Sequence, residues 1–279
     1  MRRLPLLLSA ILALLAPLVL SAQEHEHPGT RTTVNTFHKG AAPPPTISLL
    51  RGKVIQFPSA IGGNASGYLA LPDSKTPARH PAIIVIQEWW GMNDWILQQA
   101  DRFSRDGYVA LAIDLYRGKS TTDPATAHEL MRGMPEDRAM ADLKAAFNLL
   151  ASRSDVDPAK IGSIGWCMGG GYSLALATVE PRLAACVMNY GRLVTDPATI
   201  EKMRPPILGN FGADDKGIPP ADVKAFDAAL KKAGKSSDIK IYDGAGHAFM
   251  NPANTDGYRP ESAKDAWRRI DAFLEKKLK

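Results

Sequence analysis

The chain has 279 residues, of which 45% are hydrophobic and 23% charged, and its formal net charge is +5. This composition is typical of a globular protein with a sizeable core, and it excludes a disordered chain, a collagen and a disulfide-rich scaffold. No run of lysine and arginine residues forms the basic footprint of a nucleic-acid-binding protein, so we expect no nucleic-acid partner.

The first 22 residues have the pattern of a secretory signal peptide. Arg2 and Arg3 give a positive start, an apolar run covers residues 4–20, and Ser21 and Ala22 are small residues suited to a cleavage site. We expect cleavage after Ala22 and export to the periplasm or the medium, which leaves no stable membrane span. The alternative is a single membrane anchor, because the run is close to the lower length limit for a span.

Residues 23–46 are polar and proline-rich and show no apolar periodicity, which predicts a flexible leader. His25 and His27 could touch a metal ion, but two histidines in a leader do not make a ligand set, and we predict no metal site and no cofactor. Residues 47–279 are predicted to form a single domain.

Short apolar runs alternate with helical patterns throughout this domain. The predicted strands are Ile47–Phe57, Tyr68–Leu71, Ala82–Gln87, Tyr108–Ile113, Ile161–Trp166, Ala184–Tyr190, Ile207–Phe211 and Ile239–Tyr242. The predicted helices are Trp95–Asp106, Pro135–Ser152, Gly169–Thr178, Ala221–Ala233 and a last one whose apolar stripe covers Ala263–Leu278. The middle strands are apolar at every position, as in parallel strands covered on both faces, whereas no helix separates the first two strands. We therefore expect an α/β fold with helices on both faces of a sheet of about eight strands, mixed at one edge and otherwise parallel.

The sharpest motif is the sequence GWCMG at residues 165–169, where a strand runs directly into an apolar helix. It is the nucleophile-elbow pattern with the sulfur of Cys167 in place of a serine oxygen. Two glycines allow a strained turn that exposes Cys167 at the carboxyl end of the sheet. The helix N-terminus near Met168 would favour a thiolate and an acyl oxyanion. A buried structural cysteine is the alternative for this motif taken alone.

Two further residues follow later strands in the order that a catalytic triad uses. Asp215 lies three residues after Gly212 in the loop after one strand, and His247 follows the next strand. The order nucleophile, acid, histidine is that of α/β-hydrolases. Asp214 is the neighbouring alternative for the acid, whereas His247 is the only histidine after His128.

Four segments together resemble the dienelactone hydrolase family, and the likeness covers about residues 50–278. They are QEWWG at 87–91, GWCMGG at 165–170, GADDKGIP at 212–219 and GAGHAF at 244–249. The resemblance implies an α/β-hydrolase fold and a Cys-His-Asp triad that acts on esters or lactones, with Cys167 as nucleophile, His247 as base and Asp215 as acid.

The same resemblance assigns a role to Glu88, which follows a buried strand at its carboxyl end. It implies that Glu88 helps to remove the thiol proton when substrate binds, which is useful because a free cysteine has a pKa of about 8.5. The elbow geometry and the family likeness also indicate the backbone N–H groups of Met168 and Trp89 as the oxyanion donors.

The residues expected around the substrate depart from the family pattern. Members that open the dienelactone itself hold its carboxylate with arginines, but here Arg117 stands at a shifted place and Asn251 occupies the position four after His247. Arg117 and Asn251 are predicted as pocket residues, but these departures put carboxylate recognition in doubt. An aromatic pocket wall is predicted, with plain packing as the alternative, from Trp89, Trp90, Tyr116 and Phe249.

Two other residues are not predicted to take part in the chemistry. Ser163 lies inside a strand and lacks the elbow spacing, and Cys186 lies in an apolar run as a small buried side chain. A disulfide between Cys167 and Cys186 would destroy the nucleophile, and we do not expect it.

The sequence therefore predicts an exported hydrolase of small carboxylic esters or lactones that works through an acyl-thioester intermediate. The alternatives are a non-catalytic binding protein on a hydrolase scaffold and an acyl transferase or thioesterase. The expected partner is a small-molecule substrate. The oligomeric state and the role of residues 118–137 are left open.

Overall fold

A computed structural model of the chain describes residues 50–73 and 79–279. The predicted signal peptide, the predicted leader and residues 47–49 of the first predicted strand lie outside the described residues.

An eight-stranded sheet forms the centre of the domain, in the order β1-β2-β4-β3-β5-β6-β7-β8. Its strands are β1 Lys53–Pro58, β2 Asn64–Ala70, β3 His80–Ile86, β4 Val109–Asp114, β5 Val156–Trp166, β6 Ala185–Asn189, β7 Ile207–Gly212 and β8 Ser237–Tyr242. The β1–β2 and β2–β4 pairs are antiparallel, and all other pairs are parallel. The predicted α/β fold, with a sheet mixed at one edge, is confirmed.

The helices cover both faces of this sheet. They are α1 Asp94–Arg105, α2 Pro124–Arg132, α3 Glu136–Ser152, α4 Met168–Val179, α5 Pro197–Lys202, α6 Pro220–Lys232 and α7 Pro260–Leu278. Alternate residues of β3 belong to two apolar clusters: Ile84 packs on the side of α3, α4 and α6, and Ile83 packs on the side of α1 and α7. This two-sided burial is the reason that the central strands are apolar at every position.

Helices α2 and α5 were not predicted from the sequence, although the same tetrapeptide, Asp-Pro-Ala-Thr, provides the cap and the first three residues of both. In α2 the carboxylate of Asp123 accepts the N–H of Thr126, and in α5 the carboxylate of Asp196 accepts the N–H of Thr199. An aspartate N-cap followed by proline at the first helical position is a start signal that could have identified both helices. They were missed because neither has a long apolar stripe.

The prediction that Arg117 belongs to the substrate pocket is wrong. Its guanidinium donates to the carboxylate of Asp142 on α3, at 2.8 Å, and to the main-chain carbonyls of Ile61 and Gly62. Asp142 is fully buried. Arg117 therefore ties the turn between β1 and β2 to α3, and it does not line the cavity beside Cys167.

We predict that Arg117→Met lowers the free energy of unfolding by about 3 kcal/mol, because it leaves the buried carboxylate of Asp142 without its partner. Urea denaturation measures the loss. The control is Arg268→Met, which breaks a mostly exposed pair with Asp265 and is expected to cost less than about 1 kcal/mol. Equal losses in the two variants would contradict this account.

Candidate active site

Cys167 lies in a strained turn between β5 and α4. Its backbone has φ +53° and ψ −119°, and non-glycine residues rarely adopt a positive φ. A Cβ atom on Gly165 would collide with the carbonyl of Gly169, and one on Gly169 would collide with the carbonyl of Ile86 at the end of β3. Both glycines are thus required by close backbone approach. Met168, the first residue of α4, follows the turn directly.

A chain of buried asparagines holds this turn. The main-chain carbonyl of Asn189 accepts the N–H of Cys167 at 3.0 Å, and its side-chain amide donates to the carbonyl of Gly165 at 3.1 Å. Asn210 donates to the side-chain oxygen of Asn189 at 2.8 Å, and Arg269 on α7 donates to Asn210. The two asparagines were not predicted as site residues, although a polar residue near the end of each of two apolar strands is a signal that could have identified them.

His247 and Asp215 meet at the carboxyl edge of the sheet. Nδ1 of His247 donates to Oδ2 of Asp215 at 2.7 Å. The other carboxylate oxygen accepts the N–H groups of Gly217 and Ile218 at 2.9 and 3.1 Å, and Asp215 is only 4% exposed. Asp214, the alternative acid, is exposed to solvent. The geometry therefore pairs His247 with Asp215.

The contacts of His247 change its protonation. Partial burial lowers the pKa of His247, but its hydrogen bonds to Asp215 and Cys167 and the charges of both groups outweigh this and raise the pKa to about 10. Burial raises the pKa of Asp215, yet the hydrogen bond and charge of His247 and two backbone N–H groups hold it below its usual value. Cys167, His247 and Asp215 thus form one coupled group whose contacts favour the protonated imidazole.

Glu88 is buried beside this group, just after β3. The amide of Asn251 donates to its Oε2 at 2.6 Å, whereas Oε1 has no hydrogen-bond partner among the described residues. Burial raises the pKa of Glu88 to about 7, against the opposing effects of Asn251 and of the charge of His247. The oxygen of Asn251 accepts the N–H of Ala253, so both ends of this amide are engaged within the protein.

A cavity of about 740 Å³ opens beside these residues. Its lining comprises Glu88, Trp89, Trp90, Asn93, Trp95, Thr121, Thr122, Met131, Cys167, His247, Ala248, Asn251, Ala253, Asn254, Thr255 and Asp256. Of the residues predicted from the sequence, Trp89, Trp90 and Asn251 lie at the cavity. The stretch at 118–137, whose role was open, contributes the two threonines and Met131. Trp95 and the segment 253–256 were not predicted as cavity residues, because they carry no motif.

Two predicted pocket residues belong instead to the packing around the site. Phe249 is fully buried against the rings of Tyr190 and Tyr242, with centroids 5.5 and 5.1 Å away. The hydroxyl of Tyr116 donates to the sulfur of Met168 at 3.3 Å, and Tyr116 does not line the cavity. For both residues the alternative of plain packing therefore holds, because aromatic residues near a site in sequence also form its supporting core.

Both cysteines have free thiols. Cys186 is fully buried and within 3.5 Å of the hydroxyl of Ser173, which in turn bonds Ser163 at 2.8 Å. Burial raises the pKa of Cys186 to about 11. Cys186 is therefore a packed side chain that remains a thiol, whereas Cys167 lies at the cavity.

Residues 50–73 and 79–279 contain neither a cluster of metal ligands nor a membrane-spanning helix. No cluster of three or more acidic, histidine or cysteine side chains within these ranges is arranged to hold a metal ion. Over the same ranges, every helix is too short or too polar to cross a membrane.

Comparisons with known proteins agree on one family. The model of the dienelactone hydrolase family matches residues 65–278. A relative from Methylorubrum extorquens, named as a carboxymethylenebutenolidase, is 33% identical over 226 residues, which cover 76% of this chain and 77% of the relative. "Protein usf" from Aquifex pyrophilus is 33% identical over 234 residues, which cover 81% of this chain and 99% of that protein.

A solved structure supports the same conclusion. The structure named as a dienelactone hydrolase from Klebsiella pneumoniae has a TM-score of 0.71 and 30% identity, and the match covers 80% of this chain and 99% of that one. The α/β-hydrolase fold predicted from the sequence is confirmed. The chain belongs to the dienelactone hydrolase family, and it is an ester or lactone hydrolase of that family.

Proposed function

We propose that this hydrolase cleaves carboxylic esters or lactones with Cys167 as nucleophile, through an acyl-thioester intermediate. The observation that supports this most directly is the continuous contact from Asp215 through His247 to Cys167 at one open cavity. A nucleophile within reach of a base that a third group orients is the arrangement of nucleophilic catalysis.

Acylation begins when the thiol of Cys167 gives its proton to His247. The sulfur of Cys167 attacks the substrate carbonyl carbon, a C–S bond forms, and the carbonyl oxygen becomes an anion. The N–H of Met168 at the start of α4 and the N–H of Trp89 after β3 would stabilise that anion. The C–O bond to the alcohol then breaks, and His247 gives its proton to the departing oxygen.

Deacylation follows from the change in charge around His247. The thioester carries no negative sulfur, so one of the interactions that raise the pKa of His247 is lost, and the imidazole is more readily neutral and able to accept a proton. It takes a proton from water, the hydroxide oxygen attacks the thioester carbonyl, the C–S bond breaks, and the carboxylic acid leaves. His247 then returns its proton to the sulfur of Cys167, which completes the cycle.

Glu88 is proposed as a second proton acceptor for the thiol of Cys167. It lines the same cavity, it has an oxygen without a hydrogen-bond partner, and its pKa is raised to about 7. A carboxylate that titrates near neutral pH can gain or lose a proton in each cycle at little cost.

We also propose that the hydrolase works after export, in the periplasm or the medium. The support is the charge and hydropathy pattern of residues 1–22. The intact mass of protein purified from the exported fraction tests this: a mass that begins at Gln23 is expected, and a mass that retains Met1 would contradict export by cleavage.

We predict that Cys167→Ala abolishes acylation. After brief incubation with p-nitrophenyl acetate, intact-mass analysis should find one acetyl group on the wild type and none on the variant, whose turnover falls by at least about 10³-fold. Cys186→Ala is the matched control, because its thiol is buried and held protonated, and it should still be acetylated. Unchanged turnover in Cys167→Ala would refute the proposed nucleophile.

The two neighbouring aspartates provide a second test. We predict that Asp215→Asn lowers kcat by about 10²- to 10⁴-fold with little change in KM, because the amide no longer holds the charge and orientation of His247. Asp214→Asn removes an exposed carboxylate one residue away and should leave kcat within about twofold. Steady-state kinetics with one ester measures both, and comparable losses would contradict the assignment of the acid.

The raised pKa of Glu88 predicts a pH-dependent stability. The folded protein keeps this proton to about pH 7, whereas the unfolded chain loses it near 4.5, so the free energy of unfolding falls as pH rises between these values. Glu88→Gln lacks this titration. Relative to the wild type, the variant should therefore gain about 2–3 kcal/mol between pH 4 and pH 8.

Urea denaturation at the two pH values measures that gain. Glu129→Gln, which changes an exposed glutamate on α2, is the control and should follow the wild type at both pH values. Parallel behaviour of Glu88→Gln and the wild type would show that Glu88 titrates normally.

A further inference from the structure

The charged residues of the cavity are of one sign, apart from the imidazole of His247. Glu88 and Asp256 both line it, and no lysine or arginine does so among the described residues. Glu88 is 1% exposed, whereas Asp256 is exposed to solvent. A bound molecule therefore meets one carboxyl group beside the reacting sulfur and another on the open side.

Two arginines and the amide of Asn251 are already engaged elsewhere. Arg117 is held by Asp142, as described above. Arg259 donates to the main-chain carbonyls of Gly244, Asp256 and Tyr258 and is not part of the lining. The amide of Asn251 donates to Glu88 and accepts from Ala253. His247 is thus the one cationic group in the described lining, and its Nδ1 is already bonded to Asp215.

Three tryptophans contribute large apolar surfaces to the lining. The rings of Trp89 and Trp90 contact each other with centroids 4.8 Å apart at 60°. Trp95 packs edge-on against the buried ring of Trp166, with centroids 5.0 Å apart. Rings supported in this way offer a fixed surface to flat or apolar groups. A cavity of about 740 Å³ holds a molecule considerably larger than an acetate ester.

We propose that this site selects uncharged esters or lactones that carry an apolar or aromatic group, and that it rejects substrates bearing a carboxylate. The ester or lactone part of this inference rests on the proposed function. The selection itself follows from the lining. A substrate carboxylate would lose water and approach Glu88 and Asp256, while the one cationic group of the described lining, His247, is already bonded to Asp215. An uncharged apolar group would instead bury its surface on the tryptophans.

Alkylation of Cys167 tests the charge selection without turnover. Iodoacetamide and iodoacetate have nearly the same size and differ by one negative charge. We expect the ratio of their rate constants, amide over acid, to exceed the ratio for N-acetylcysteine amide by about three- to tenfold at low salt. Intact mass counts the adducts, and Cys167→Ala corrects for reaction elsewhere. A ratio equal to or below that of the small thiol would overturn the proposal.

A pair of charge-matched variants locates the effect. Asp256→Asn should reduce the amide preference by about twofold or more, because it removes a carboxylate from the lining. Asp137→Asn makes the same change at an exposed position on α3 outside this cavity and should leave the ratio unchanged. Equal effects of the two variants would mean that the net charge of the protein, and not the cavity, sets the preference.

Two esters then test the substrate class. The kcat/KM for 4-nitrophenyl butyrate should exceed that for the anionic mono-4-nitrophenyl succinate by about tenfold or more, beyond their difference in alkaline hydrolysis. Equal or reversed values would overturn the proposal and leave the proposed function intact. Hydrolysis of neither ester, in protein whose Cys167 shows the expected alkylation ratio, would instead refute the proposed function while the charge selection of the cavity stands.

Discussion

The positive φ of Cys167 is the constraint on which the rest of the site depends. A non-glycine residue in this backbone conformation costs on the order of 1–3 kcal/mol, and the conformation persists only where the surroundings leave no alternative. Here the surroundings are the missing side chains of Gly165 and Gly169, which let α4 approach the ends of β3 and β5, and the buried asparagines that bond the turn from β6 and β7. The strain places the sulfur at the cavity and the first N–H groups of α4 beside it.

The two carboxyl groups that face this turn have opposite environments and are suited to different tasks. Asp215 receives hydrogen bonds from His247 and from two backbone N–H groups, so its pKa is lowered and it stays ionised. Glu88 is buried with a single amide donor, so its pKa is raised to about 7. The difference arises from the number of donors that each carboxyl group meets after its strand ends. It separates a permanent charge that orients the imidazole from a group able to exchange a proton.

The described lining of the cavity contains tryptophans and no arginine. A site that used an arginine to hold a substrate carboxylate would need that cation at the wall, but Arg117 contributes to the fold by tying α3 to the turn between β1 and β2. Asn251 binds Glu88 and in this way links the carboxyl group to the loop that follows His247. The tryptophans remain as the main binding surface, and this favours apolar groups over charged ones.

The sequence by itself determined what is local along the chain. Continuous apolar strands predicted the parallel sheet, the glycines around Cys167 predicted the tight turn, and the order of Cys167, Asp215 and His247 placed each after its own strand. Only the tertiary structure decided which side chains share a space. It buries Phe249, pairs Asn189 with Asn210 on the neighbouring strand and brings the segment 253–256 to the cavity. The physical reason is that strand ends and turns depend on backbone sterics over a few residues, whereas the direction and partner of a side chain depend on packing between segments far apart in sequence.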